Sequence, residues 1–157
     1  AGNRMLPPTV QQPHPPIWVG GNSRAAARRA AQHAQGWSPF PVSPAFGRHT
    51  RTAPLETVEQ LAARIRELRD HASRLGRSDP LDVNFVPFGL PMNPTRMPDP
   101  DGFCEQVVQL AEIGVSWLSI GLPCPSRAGY CEEAARFGEQ AIARIRAAQP
   151  EERRRAR

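Results

Sequence analysis

Four short runs of apolar or β-favouring residues alternate along this chain with four longer segments whose apolar residues recur every three or four positions. That alternation constrains the fold more than any other feature. Parallel strands need long crossovers, and a helix that buries one face on the sheet is the usual crossover. The pattern therefore predicts an α/β fold, with four parallel strands each followed by a helix.

The strands are expected at about 17–20, 36–40, 82–88 and 116–121. Residues 1–16 hold five prolines and read as an extended lead-in. Asn22 or Ser23 caps a first helix that runs to about Gln35, with Ala26, Ala27, Ala30, Ala31 and Ala34 on its inner surface and Gly36 as its stop. Residues 41–55, with Gly47-Arg48-His49 near the middle, are long for a connection and read as a functional loop or lid. Thr57 and Gln60 have capping-box spacing. Val58, Leu61, Ala62, Ile65, Leu68, Ala72 and Leu75 then share one helix face, closed by Gly76. Residues 89–100 form a second proline-rich loop. Asp101 is expected to cap a helix striped by Phe103, Val107, Leu110 and Ala111, with Gly114 as its stop. The last helix starts near Ser126 or Tyr130, and Tyr130, Ala134, Phe137, Ala141, Ile145 and Ala148 form its stripe. Pro150 ends it and leaves 150–157 as a charged, disordered tail, so the expected domain is 17–149.

No run reaches the length a membrane helix needs, and no secretory leader is visible. The first residue is Ala1 in a loop-like segment, which suggests a start cut from something longer. The net charge is +5, but every basic side chain is arginine and lysine is absent. A coding bias explains that better than selection for an acidic partner. The tail from Glu151 to Arg157 is short and has no aromatic, so no nucleic-acid partner is expected. Cys104, Cys124 and Cys131 are odd in number and lack CxxC spacing. They argue against a disulfide framework or a metal site and fit a reducing cytoplasm, and Cys124 and Cys131 read as small apolar packing.

The segment Pro13-His14-Pro15-Pro16-Ile17-Trp18-Val19-Gly20-Gly21-Asn22-Ser23 is the most specific motif. A strand ending in glycines and entering a helix N-terminus can present backbone N–H groups to an anion or a planar ring. On spacing alone it is a tight βα turn with a helix cap. Trp37 and Phe40 at the second strand end can flank a ring or pack a core. Arg127 can fork onto a phosphate or lie solvated among 20 basic residues. The four histidines have no ligand spacing, and His49 alone is placed to matter, by its long loop.

With the alanine-rich helix closed by Gly36-Trp37, the Ile113-Gly114-Val115 turn and the final Phe137-Gly138 helix, this segment resembles the luciferase-like monooxygenase family, nearest its F420-dependent oxidoreductases. The likeness runs from about Gln11 to Ile145 and corresponds to the C-terminal half of such proteins. It implies half of a (β/α)8 barrel, with Gly20, Gly21, Asn22, Ser23, Trp37, Phe40 and Arg127 at a cofactor pocket. It further implies hydride transfer between coenzyme F420 and a small organic substrate, with FMN and monooxygenation as the same-family alternative. The partner expected is the N-terminal half-barrel or a second copy. An inactive half-barrel that binds a phosphorylated ligand is the competing class.

Overall fold

The computed structural model describes residues 7–91, 94–124 and 126–148. The proposed tail, Pro150 and the first six residues of the lead-in lie outside them. Four strands, β1 (Trp18–Gly20), β2 (Gly36–Ser38), β3 (Asp82–Phe85) and β4 (Trp117–Leu118), form one parallel sheet in the order β1-β2-β3-β4. Each strand pairs with the next in sequence. Right-handed crossovers that always step the same way put every helix on one face of the sheet. That is the winding of a (β/α) barrel, whereas an open doubly wound sheet reverses direction.

Helices α1 (Arg24–His33), α3 (Val58–Arg74) and α4 (Pro100–Glu112) cover that face. Ala30, Ala31, Leu61, Ile65, Leu68 and Leu110 pack there on Trp37, Val83 and Phe85. The alanines of α1 let its backbone come close to the sheet, as their spacing predicts. Arg77 then closes α1 from outside. Its guanidinium donates to the carbonyls of Ala34 at 2.6 Å and Ala31 at 3.2 Å. A cation on the last free carbonyls of a helix satisfies both the orphan acceptors and the dipole. A smaller cluster of Phe103, Phe137 and Ala141 joins α4 to α5 (Arg127–Phe137), with the two rings edge to face at 5.2 Å.

Several expectations need correction. The strands are shorter than predicted, because Pro39 and Pro87 cut off β2 and β3. The segment 41–55 is no open loop. It carries α2 (Pro44–Thr50), capped by Ser43 with proline in the first turn, and an antiparallel bridge between the buried Val42 and Leu55. Ser43-Pro44 was the missed start signal. The helix α4 is capped by Asp99, whose side chain accepts from Gly102 N at 2.8 Å. Leu75, Ala111 and Tyr130 are exposed rather than buried. Cys124 and Cys131 are exposed too, so neither is core packing.

The last helix is also not regular. A π turn at Gly138–Ile142 separates α5 from α6 (Ala143–Ala148). Phe137, Ala141 and Ile145 are spaced by four, which drifts off one face of a 3.6-residue helix. The wider π turn brings them back onto α4.

Candidate functional site at the C-terminal strand ends

Side chains alternate across a strand, so the sheet has a second face. The register puts Trp18, Gly36, Ser38, Asn84 and Trp117 on it, opposite Val19, Trp37, Val83 and Phe85. β1 and β4 are three strand spacings apart, roughly 14 Å in a flat sheet. Yet the indoles of Trp18 and Trp117 meet edge to face at 5.6 Å. A sheet wound as in a barrel curls toward the face that its helices leave free, and the two indoles lean toward each other across the N-terminal part of this concave face. Trp18 lies directly over Gly36, where a Cβ would come within 2.5 Å of the ring. Its Nε1–H is buried and without a partner among the described residues.

The C-terminal part of the concave face is polar. Asn84, 8% exposed, donates from Nδ2 to Ser38 Oγ at 2.9 Å and to Ser119 Oγ at 3.0 Å. Ser119 Oγ returns a hydrogen bond to Asn84 Oδ1 at 3.1 Å. The network ties together β2, β3 and the residue after β4. Gly20 sits beside it on β1. A Cβ there would find only Ser38 O within 4 Å, at 3.9 Å, so the space over Gly20 is open. In barrels of this winding the strand C-termini form the ligand face.

The turn after β1 is rigidly held. Gly21 has φ +105, a conformation that glycine adopts without strain. Its N–H donates to Ser38 O at 3.2 Å, and its carbonyl accepts from Trp37 Nε1 at 2.9 Å. Asn22, 3% exposed, donates from Nδ2 to the carbonyls of Phe40 and Ala53, both at 2.9 Å, and accepts from Phe40 N at 3.0 Å. It clamps the segments after β1 and β2 to each other. Ser23 caps α1 by accepting from Ala26 N at 3.1 Å.

The sequence-derived site residues thus divide. Gly20 and Ser23 lie at the open strand ends. Gly21 and Asn22 shape the turn, but the Asn22 amide has both N–H groups committed to backbone and holds none for a ligand. Trp37 is fully buried against the helices and offers no ring face. The period of two explains it: Ser38, not Trp37, points inward. Phe40 is half-buried beside the clamp. Arg127 is exposed in the first turn of α5 after the cap Ser126. His49 is exposed on α2, away from any bonded partner among the described residues.

Sequence reasoning missed Ser38, Asn84 and Ser119. Their signal was a polar residue inside each apolar run: Trp37-Ser38-Pro39, Val83-Asn84-Phe85 and Leu118-Ser119-Ile120. A cleft of about 250 Å³ lies elsewhere, between α1 and α3, lined by Arg24, Arg28, Glu67, Asp70, His71 and Arg74. Three arginines face two carboxylates there, and Arg24 pairs with Glu67 at 3.2 Å. Among the described residues no three His, Cys, Asp or Glu side chains gather into a metal-binding group, and no helix is long and apolar enough to cross a membrane.

No family model matches the chain. Its fold is similar to the coenzyme F420 dependent tetrahydromethanopterin reductase from Methanopyrus kandleri, with a TM-score of 0.56 and 13% sequence identity. The match covers 83% of this chain and 51% of the reductase, so the chain spans about half of that protein's length. The fold is thus α/β, four parallel strands alternating with helices, equivalent to half of a (β/α)8 barrel.

Proposed function

We propose that this chain is the ligand-binding half of an F420-dependent oxidoreductase of the luciferase-like kind. The observation that carries the proposal is the sequential parallel sheet whose C-terminal ends carry an open Gly20 beside a polar network. The likeness to half of an F420-dependent reductase supports it at the level of fold. A planar heterocycle with an anionic tail fits the residues present. Gly20 gives backbone access without a Cβ, Ser23 and the first turn of α1 give N–H groups, and Arg127 gives a cation after β4.

When bound, a deazaflavin supplies the hydride chemistry itself. The chain's own part is to bind and orient. Asn22 and Gly21 fix the turn, and the helix-facing core holds the strand ends still. β1 and β4 each pair on one side only among the described residues. A second four-stranded unit, an N-terminal half-barrel or another copy, is proposed to close the pocket and supply substrate contacts.

Fluorescence titration with F420 and with FMN, followed by a deazaflavin reduction assay, tests this. The expected result is weak binding, tighter for F420, and turnover only when a complementary unit is present. No binding of either group would remove the proposal. A stable monomer that turns over alone would remove the need for a second unit.

A further inference from the structure

We infer that the Ser38 hydroxyl donates a hydrogen bond to an oxygen or ring-nitrogen acceptor of the bound heterocycle, with Asn84 as the residue that aims it. The inference rests on the function proposed above and goes beyond it by naming the contact.

The argument is a count of protons and lone pairs. A serine hydroxyl holds one proton and two acceptor sites. A neutral carboxamide holds two N–H donors and one acceptor oxygen. Asn84 spends one N–H on Ser38 Oγ and the other on Ser119 Oγ. Ser119 gives its own proton back to Asn84 Oδ1. Asn84 and Ser119 are then donor-exhausted. Ser38 accepts from Asn84, and its own proton has no acceptor among the described residues. The network therefore ends in one uncommitted donor. An accepted hydrogen bond on the Asn84 side turns that proton away from Asn84.

Its surroundings favour a ligand over water alone. Ser38 is half-buried on the concave face, directly across the ladder from the open backbone of Gly20. It is fixed at both main-chain ends: its carbonyl takes Gly21 N, and Phe40, two residues on, is held by Asn22. A donor fixed in place by a buried amide is pre-organised, and its bond costs little ordering on binding. The acceptors it suits are the carbonyl oxygens and ring nitrogens along the edge of a flavin or deazaflavin.

Amide NMR chemical-shift titration of the protein with F420 and with FMN tests the inference, because it reads weak affinities without turnover. Ser38→Ala removes the donor and should weaken binding about tenfold. Ser38→Thr keeps the hydroxyl and should stay within about twofold. Asn84→Asp keeps size but replaces the amide donors with acceptors, so the Ser38 proton turns inward. It should weaken binding as much as Ser38→Ala does, and the double variant should lose little more. Dispersed spectra confirm folding of each variant, and Asn84→Asp carries the test if Ser38→Ala does not fold. Wild-type binding that Ser38→Ala and Asn84→Asp leave unchanged would overturn the inference and leave the proposed function standing. A wild-type protein that binds neither group would overturn both.

Discussion

Replacing Gly36 with alanine is expected to destabilise the protein by about 1–3 kcal/mol, the usual cost of forcing a methyl into a filled space. Gly36 needs no unusual backbone angle, so the effect is steric alone. The new Cβ would stand 2.5 Å from Trp18 Cδ1, 2.6 Å from Nε1 and 2.9 Å from Cγ. Unstrained carbon contacts lie near 3.5–4.0 Å, so the indole must retreat by about 1 Å. It has little freedom to do so. Trp18 pairs with Gly36 across the ladder, and its ring meets Trp117 at 5.6 Å. Gly20→Ala on the same strand face is the control. Its Cβ meets only Ser38 O at 3.9 Å, and the change should stay within about 0.5 kcal/mol. Urea unfolding of both variants measures the difference, and thermal unfolding should follow at about 2–4 °C per kcal/mol for a chain of this size. A Trp18→Leu background should recover most of the Gly36→Ala loss, with a coupling of about 0.5–3 kcal/mol. Equal stability of Gly36→Ala and wild type, or strict additivity with Trp18→Leu, would refute the packing of the Trp18 ring over Gly36.

Three further substitutions probe the frame around the site. Asn22→Ala strands two carbonyls and one N–H in a buried place and should cost about 2–4 kcal/mol in urea unfolding, with faster hydrogen exchange at Phe40. Arg77→Ala leaves the carbonyls at the end of α1 uncapped and should cost about 1–2 kcal/mol, with Arg77→Lys recovering only part because the guanidinium fork is lost. Gly21→Val forces a β-branched side chain to φ +105 with Ala26 Cβ 3.6 Å from the new Cβ, so it should lower the melting temperature as well as ligand affinity; an unchanged melting temperature would contradict the turn geometry.

Much of this fold was legible because α1 and α3 carried their own start, stripe and stop. Thr57 does cap α3, accepting from Gln60 N at 3.3 Å, and Leu61, Ile65, Leu68 and Ala72 are its buried stripe. The alternation of short apolar runs with such helices was enough for the parallel sheet. What escaped was anything set by which way a strand faces. Trp37 and Ser38 are neighbours in sequence, and only the pleat decides which of them meets the helices and which turns to the concave face. The run from Val83 to Val86 likewise reads only as a strand, and the pleat alone turns Asn84 to the concave side. The family resemblance puts Asn22 at a cofactor pocket, but Phe40 and Ala53 are brought to its side chain only by the fold. Long-range partners of that kind leave no local trace. The helix α2 did leave one, Ser43-Pro44, hidden by the proline content of its surroundings.

A structure of the protein with F420 bound tests the placement of the site most directly. The heterocycle should lie over the concave face at the C-terminal strand ends, near Gly20, Ser38 and Ser119, with its anionic tail toward the first turn of α1 or Arg127. F420 seated instead in the cleft between α1 and α3, against Arg28, His71 and Arg74, would contradict it.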